Sequence, residues 1–228
     1  MSDIEKFVSG FKRFQGNYFG EDRNLYEQLK HGQHPRALVL ACCDSRVDPA
    51  ILTGSEPGDI FVVRNVANLV PPREYGGGYH GVSAALEFAV CHLGVEHIIV
   101  LGHSQCGGIR ALMQEAGECE GSEYIAKWMR IAEPVREKVR RELPGESLDR
   151  QSHACEQGAI LQSLENLLTF PWIAQRASTG DISIHGWYFD LAHGELLGYD
   201  PTDKVFAPLK EGEAFADSLP KAPATTPA

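Results

Sequence analysis

The run Leu38-Val39-Leu40-Ala41-Cys42-Cys43-Asp44-Ser45-Arg46 decides how this chain is read. It begins as an unbroken apolar segment, the pattern of a buried strand, and ends in a thiol, a carboxylate and a guanidinium. Side chains two apart on a strand point the same way. Cys42, Asp44 and Arg46 therefore share one side, and Cys43 and Ser45 the other. Taken alone, the stretch supports two readings: two buried cysteines before an ordinary ion pair, or one arm of a reactive site, since burying such polar groups is costly unless they are paired or used.

About sixty positions on, His97-Ile98-Ile99-Val100-Leu101 is a second short β-branched run, followed by Gly102-His103-Ser104-Gln105-Cys106-Gly107-Gly108. His and Cys three apart, just past a strand, form a two-ligand arm of the kind zinc favours, and Cys42 supplies a third ligand. Cys₂His leaves one position open, as catalytic rather than structural zinc sites do. Alone, H-x-x-C is a weak signal; paired with C-x-D-x-R, each after a strand, it is specific. Cys43 has three readings: an inert buried thiol, an oxidisable one, or the ligand itself. Parity with Asp44 and Arg46 favours Cys42.

The rest of the chain alternates strands and helices. Ser2-x-x-Glu5 is a capping box, and Ile4, Phe7, Val8, Phe11 and Phe14 follow at helical spacing. Further helices are expected over about 21–30, from Asp48-Pro49 to Gly54, over 79–93, from Gly107 onward, over 122–143 and over 147–168. Strands are expected at Ile60-Phe61-Val62-Val63, at Ile182 to Tyr188, and at Glu195 to Tyr199 as a hairpin across His193-Gly194. The fold class that follows is α/β: a mainly parallel sheet of about four parallel strands plus an antiparallel edge strand, flanked by helices, with an N-terminal helical arm. The domain reading is an arm over 1–33, a zinc-binding α/β catalytic domain over 34–200 and a C-terminal extension over 201–228 that ends disordered. Ligands in such sheets collect beyond the carboxyl ends of strands, where Cys42 and His103 both fall.

With 228 residues the chain can bury a substantial core. A net charge of -10 argues against nucleic acid and anionic membranes as partners. The start Met1-Ser2-Asp3-Ile4-Glu5-Lys6 lacks the pattern of a secretory signal, and no apolar run approaches a membrane span. Six cysteines, at 42, 43, 91, 106, 119 and 155, do not form a disulfide scaffold. A reducing cytoplasm is the expected setting.

The two motifs resemble those of the β-class carbonic anhydrases, and the similarity runs from about Leu25 to about Tyr199. Phe61-Val62-Val63-Arg64-Asn65-Val66-Ala67-Asn68 and Ile184-His185-Gly186-Trp187 are similar to that family as well. The resemblance implies a zinc enzyme that hydrates carbon dioxide reversibly to bicarbonate, working as a homodimer or larger homo-oligomer. The aromatic face of the early helix, which by itself reads equally as packing on its own domain, would then pack on a second subunit. It assigns Cys42, His103 and Cys106 to the metal. It makes Asp44 the acceptor of the attacking hydroxide's proton, Arg46 its clamp, Gln33 a side-chain donor and Gly107 a backbone donor to substrate. Phe61 and Val66 line the substrate slot, from one subunit or its partner, and Phe88 stands where many relatives carry tyrosine.

In part of the family the aspartate closes onto zinc under control of bicarbonate bound by a Trp–Arg–Tyr trio. This chain has Val39, Arg64 and Phe189 there, so the open-site, plant-type branch is expected. A zinc hydrolase of carbon disulfide or carbonyl sulfide on the same fold is the alternative, and a structural zinc module is a third reading. The other histidines offer no metal spacing with Cys42, and His185, in an apolar strand, reads as a hydrogen-bonded core residue.

Overall fold

The computed structural model describes residues 2–19, 25–76, 78–114, 123–212 and 217–219. The chain divides into two units, Met1–His34 and Pro35–Ala228. In the first, helix α1 (Asp3–Tyr18) starts with the foreseen box: the Ser2 hydroxyl accepts from the Glu5 N–H, and the Glu5 carboxylate accepts from the Ser2 N–H. Phe14 and Tyr18 pack on Tyr26 of helix α2 (Leu25–Leu29), with centroids 5.7 and 5.9 Å apart. Residues 21–24 of the expected second helix lie outside the described residues. Ile4, Phe7, Val8 and Phe11 form an exposed apolar face on α1.

The second unit is built on a six-stranded sheet. Its strands are β1 (Ala37–Cys42), β2 (Ile60–Asn65), β3 (His97–His103), β4 (Ser183–Asp190), β5 (Glu195–Asp200) and β6 (Val205–Pro208), in the order β2-β1-β3-β4-β5-β6. The first four in that order run parallel, β5 pairs antiparallel with β4, and β6 pairs antiparallel with β5. The parallel core and the β4–β5 hairpin agree with the sequence. β6 adds a second antiparallel pairing, from the segment read as an extension. Chain order reverses at β1, which has β2 on one side and β3 on the other. The crevice beyond the carboxyl ends of β1 and β3 is thus the switch point at which α/β sheets bind ligands.

Local signals place most of the helices. In α3 (Pro49–Thr53), Asp48 accepts from the N–H groups of Ala50 and Ile51, Pro49 opens the first turn, and Gly54 closes it in the left-handed region at φ 64°. The expected helix over 79–93 forms as α4 (Gly81–Glu87) continued by a wider π-type turn over Phe88–Leu93. Helix α5 (Gly107–Gln114) follows the second motif. The charged segment read as one helix from Ser122 (itself outside the described residues) is two. A tight turn at Arg130–Ala132 separates α6 (Glu123–Met129) from α7 (Glu133–Glu142), because Pro134 suits only a first helical turn. α8 (Leu148–Leu167) is as expected, with Ser147 capping. α9 (Pro171–Thr179), which the strand–helix pattern did not disclose, carries its own signals in Pro171 and Gly180.

Leu38, Leu40, Ile98, Val100, Ile184 and Tyr188 are buried on one sheet face against Ile160, Leu164 and Leu167 of α8 and Ile173 of α9. Each such aliphatic side chain contributes about 1.5–3 kcal/mol. α8 lies close to the strands because two of their residues lack side chains. A β-carbon at Gly102 would stand 2.7 Å from Ile160 Cδ1, and one at Gly186 3.0 Å from Ile160 Cγ2. Gly102→Ala is therefore expected to lower the unfolding free energy by about 1–3 kcal/mol, measured by urea denaturation. An unchanged midpoint would show that Ile160 yields without cost.

Candidate metal centre

Cys42 ends β1, His103 ends β3, and Cys106 precedes α5. Their exposures are 5, 1 and 2 %. The potential ligand atoms all lie within 4.8 Å of one another, and the two sulfurs are 4.0 Å apart. Adjacent strands carry the first two residues, so the cluster needs only the short turn 104–105 to bring in the third.

The imidazole tests whether this group suits a metal. His103 Nδ1 donates to the Ser104 carbonyl at 2.9 Å, which leaves Nε2 as the bare lone pair. Nε2 is buried and has no hydrogen-bond partner. A polar atom left so costs about 1–3 kcal/mol, and a cation between it and the sulfurs removes that cost. Two sulfurs on a tetrahedral zinc at about 2.3 Å each are separated by about 3.8 Å, close to the spacing found. The residues fit the metal.

Electrostatics point the same way. The hydrogen bond between the sulfurs lowers the pKa of Cys42 and raises that of Cys106, so the pair readily holds one thiolate. Backbone N–H groups of Asp44 and Ala67 add to the lowering at Cys42, and those of Gly108 and Ile109 point at Cys106. Burial lowers the pKa of His103, but the nearby Cys42 sulfur, the Ser104 carbonyl and the Asp44 charge outweigh this, and the net shift is upward.

Asp44 is gripped by Arg46 in a two-pronged bond, Nε to Oδ1 at 2.9 Å and Nη2 to Oδ2 at 2.7 Å, with the Arg46 N–H adding a third contact at 3.0 Å. This fork holds the carboxyl well below the usual carboxylate range. Asp44 Oδ2 stands 4.0 Å from His103 Nε2. Arg46 also donates to the Gln105 carbonyl at 3.0 Å, joining the two motifs.

The other expected residues are placed less uniformly. Val66 abuts the start of α5, since a β-carbon at Gly108 would meet Val66 Cγ1 at 2.8 Å, and the Val66 carbonyl accepts from Trp128. Gly107 opens α5, where N–H groups have no partner within the helix. Phe61 and Phe88 pack together at 5.9 Å. Phe61 is paired in register with Leu38, four residues before Cys42, or about 13 Å along the sheet, so this chain alone does not bring them to the cluster. Gln33 is exposed in the N-terminal unit. Cys43, read as a buried thiol, is exposed instead. As the residue after Cys42 it faces the other side of the turn. His185 is half-buried and shares the Ser183 hydroxyl with His97, at 2.8 and 2.6 Å.

Two side chains that sequence reasoning left without a role here hold the ligand loops. Arg64 spends its donors on the first loop: on the carbonyls of Cys42 (2.8 Å), Asp44 (2.7 Å) and Val47 (3.0 Å), and on the Asp48 carboxylate (3.0 Å). Glu156, 4 % exposed, accepts from the Cys106 N–H at 3.0 Å and from the Tyr188 hydroxyl at 2.7 Å. Burial raises its pKa and these two bonds oppose the rise. Its signal in the sequence is an acid within an apolar helical stripe, between Cys155 and Ala159-Ile160.

Comparison with known proteins follows the same lines. The carbonic anhydrase family profile matches residues 37–196. A carbonic anhydrase of Synechocystis sp. is 41% identical over 200 residues, covering 86% of this chain and 71% of that one. The solved structure of the β-carbonic anhydrase CcaA aligns with a TM-score of 0.88 and 36% identity over 96% of both chains. One of the tetrameric β-carbonic anhydrases of Sordaria macrospora aligns at 0.76 and 28% identity, over 86% of this chain and 95% of that one. With its site at the switch point of the same sheet, this chain belongs to the carbonic anhydrase family, in its β class.

Proposed function

We propose that the protein interconverts carbon dioxide and bicarbonate with zinc held by Cys42, His103 and Cys106. The observation that carries this reading is the buried, partnerless His103 Nε2 facing two sulfurs, next to a carboxylate that an arginine keeps ionised. Zinc there would supply the Lewis acidity that makes water nucleophilic near neutral pH, moderated by the charge of two thiolates.

The chain's own residues do the rest. Asp44, ionised and pinned, accepts a hydrogen bond from the attacking water and so turns its lone pair toward the carbon. Arg46 fixes that orientation and keeps the carboxylate turned away from the metal. The N–H of Gly107 is a donor to the developing carboxylate, and Gln33 is assigned the second donor role on family resemblance. Val66 borders the slot, and Phe61 and Phe88 are placed there on the same resemblance, in an assembly of subunits. We take the site to be of the open branch. Arg64, the remaining member of the bicarbonate trio, is supported in this by having its donors committed to its own loop.

A homo-oligomer is supported by the tetrameric relatives and by the exposed apolar face of α1. A cytoplasmic setting is supported by the five free cysteines among the described residues. No helix among the described residues is long and apolar enough to cross a membrane.

Stopped-flow carbon dioxide hydration with zinc analysis tests the assignment. The wild type is expected to carry one zinc per chain and Cys106→Ser to lose both metal and activity; a metal-free, fully active wild type overturns it. Arg46→Lys keeps the charge but not the planar fork, and is expected to lower kcat by about 100-fold or more with zinc retained. A near-normal rate would remove the clamp's role. Activity should rise from pH 6 into the alkaline range. Asp44, with its pKa depressed, is ionised throughout that window, so the rise cannot be its titration; a flat profile contradicts the two-thiolate site.

A further inference from the structure

Glu156 has no place in the chemistry above, yet it touches the backbone of a metal ligand. The peptide between Gln105 and Cys106 is held at both ends by charge. Its carbonyl accepts from Arg46 at 3.0 Å and its N–H donates to Glu156 at 3.0 Å. Gln105 is left-handed, with φ 58°, a conformation a residue with a side chain rarely adopts. Something outside the turn must hold it there, and a guanidinium and a carboxylate at opposite edges of the peptide do so.

Glu156 is itself fixed. Its second oxygen accepts from Tyr188, which is wholly buried, and the Tyr188 oxygen lies 3.0 Å from Nδ1 of the exposed His153. These bonds run from the surface to a single anion one peptide from Cys106.

We propose that Glu156 is a positioning residue for the metal centre. By binding the Cys106 N–H it keeps the Gln105–Cys106 peptide oriented, so that the Cys106 sulfur faces Cys42 and His103 while the Gln105 carbonyl steadies Arg46 and, through it, Asp44. A weaker acceptor at position 156 holds the peptide less firmly and loosens both ends together. The proposal rests on the metal assignment above.

The test uses the full-length, zinc-loaded protein and the near-isosteric Glu156→Gln. Zinc release to a chelating dye is timed, and the absorption of the cobalt-substituted protein is recorded to report thiolate geometry. Glu156→Gln is expected to release zinc about 10-fold faster and to shift the sulfur-to-cobalt bands. Arg176→Met serves as a stability control. Arg176 binds the carbonyls of Val90, Val95 and Asp181 at the opposite end of the sheet, so its loss should lower Tm and leave zinc release unchanged. Release within twofold of wild type and a superimposable cobalt spectrum in Glu156→Gln would overturn the role. So would equal acceleration in both variants, which would mark general destabilisation. A wild type that takes up neither zinc nor cobalt would instead overturn the metal assignment, and this proposal with it.

Discussion

A buried nitrogen lone pair facing two sulfurs is the constraint on which the rest of this structure depends. Left as it stands it costs stability, and no nitrogen or oxygen among the described residues pairs with it in a crevice where the three residues are nearly inaccessible. The sheet makes the convergence inexpensive. β1 and β3 are adjacent and parallel, so residues at their carboxyl ends meet without a long loop to order. Most of the chain, from the aliphatic face of the sheet to α8, serves to keep those two strand ends in register.

The loops after the strands need more than hydrophobic burial. Ala67, Asn68 and Gln105 all have positive φ without being glycine, at about 1–2 kcal/mol each. Two of them touch the site directly: the Ala67 N–H reaches Cys42, and the Gln105 carbonyl reaches Arg46. The Asn65 side chain spans the Ala67–Asn68 turn, donating to the Leu69 carbonyl and accepting from the Leu69 N–H. The two ligand loops are held instead by charged side chains, whose bonds are roughly twice as strong as neutral ones. Arg64 holds one loop and Glu156 the other, while Arg46 ties them together. Each is aimed at backbone as well as at any ionic partner, a sign that the loop's shape is what is being stabilised.

Much of this was legible beforehand, for identifiable reasons. The apolar runs before Cys42 and His103 could be little else than buried strands, and the Asp48-Pro49…Gly54 signals framed a helix at both ends. Strand parity separated Cys42 from Cys43, although it did not reveal that Cys43 would be exposed. The break at Arg130–Ala132 was hidden by uniform charge, even though Pro134 marked it. Strand β6 and helix α9 were missed because short segments rich in Pro and Ala carry little periodicity. Glu156 escaped because reading a helix for its amphipathic outline treats a lone acid as part of the wet face. Its neighbours at helical spacing, Ser152, Ala159, Ile160 and Ser163, are all buried, and an acid among them should have been read as partnered.

The close seating of α8 has a wider consequence. Glu156 reaches Cys106 only because the helix lies almost on the strands, and it lies there because Gly102 and Gly186 leave room for Ile160. The hydrocarbon fit one turn along the helix thus governs the height at which the carboxylate hangs above the metal loop. A randomised library would recover bulk at position 102 chiefly alongside trimming at 160. The two sites form a linked pair, through which packing that touches no reacting atom is inherited together with the chemistry.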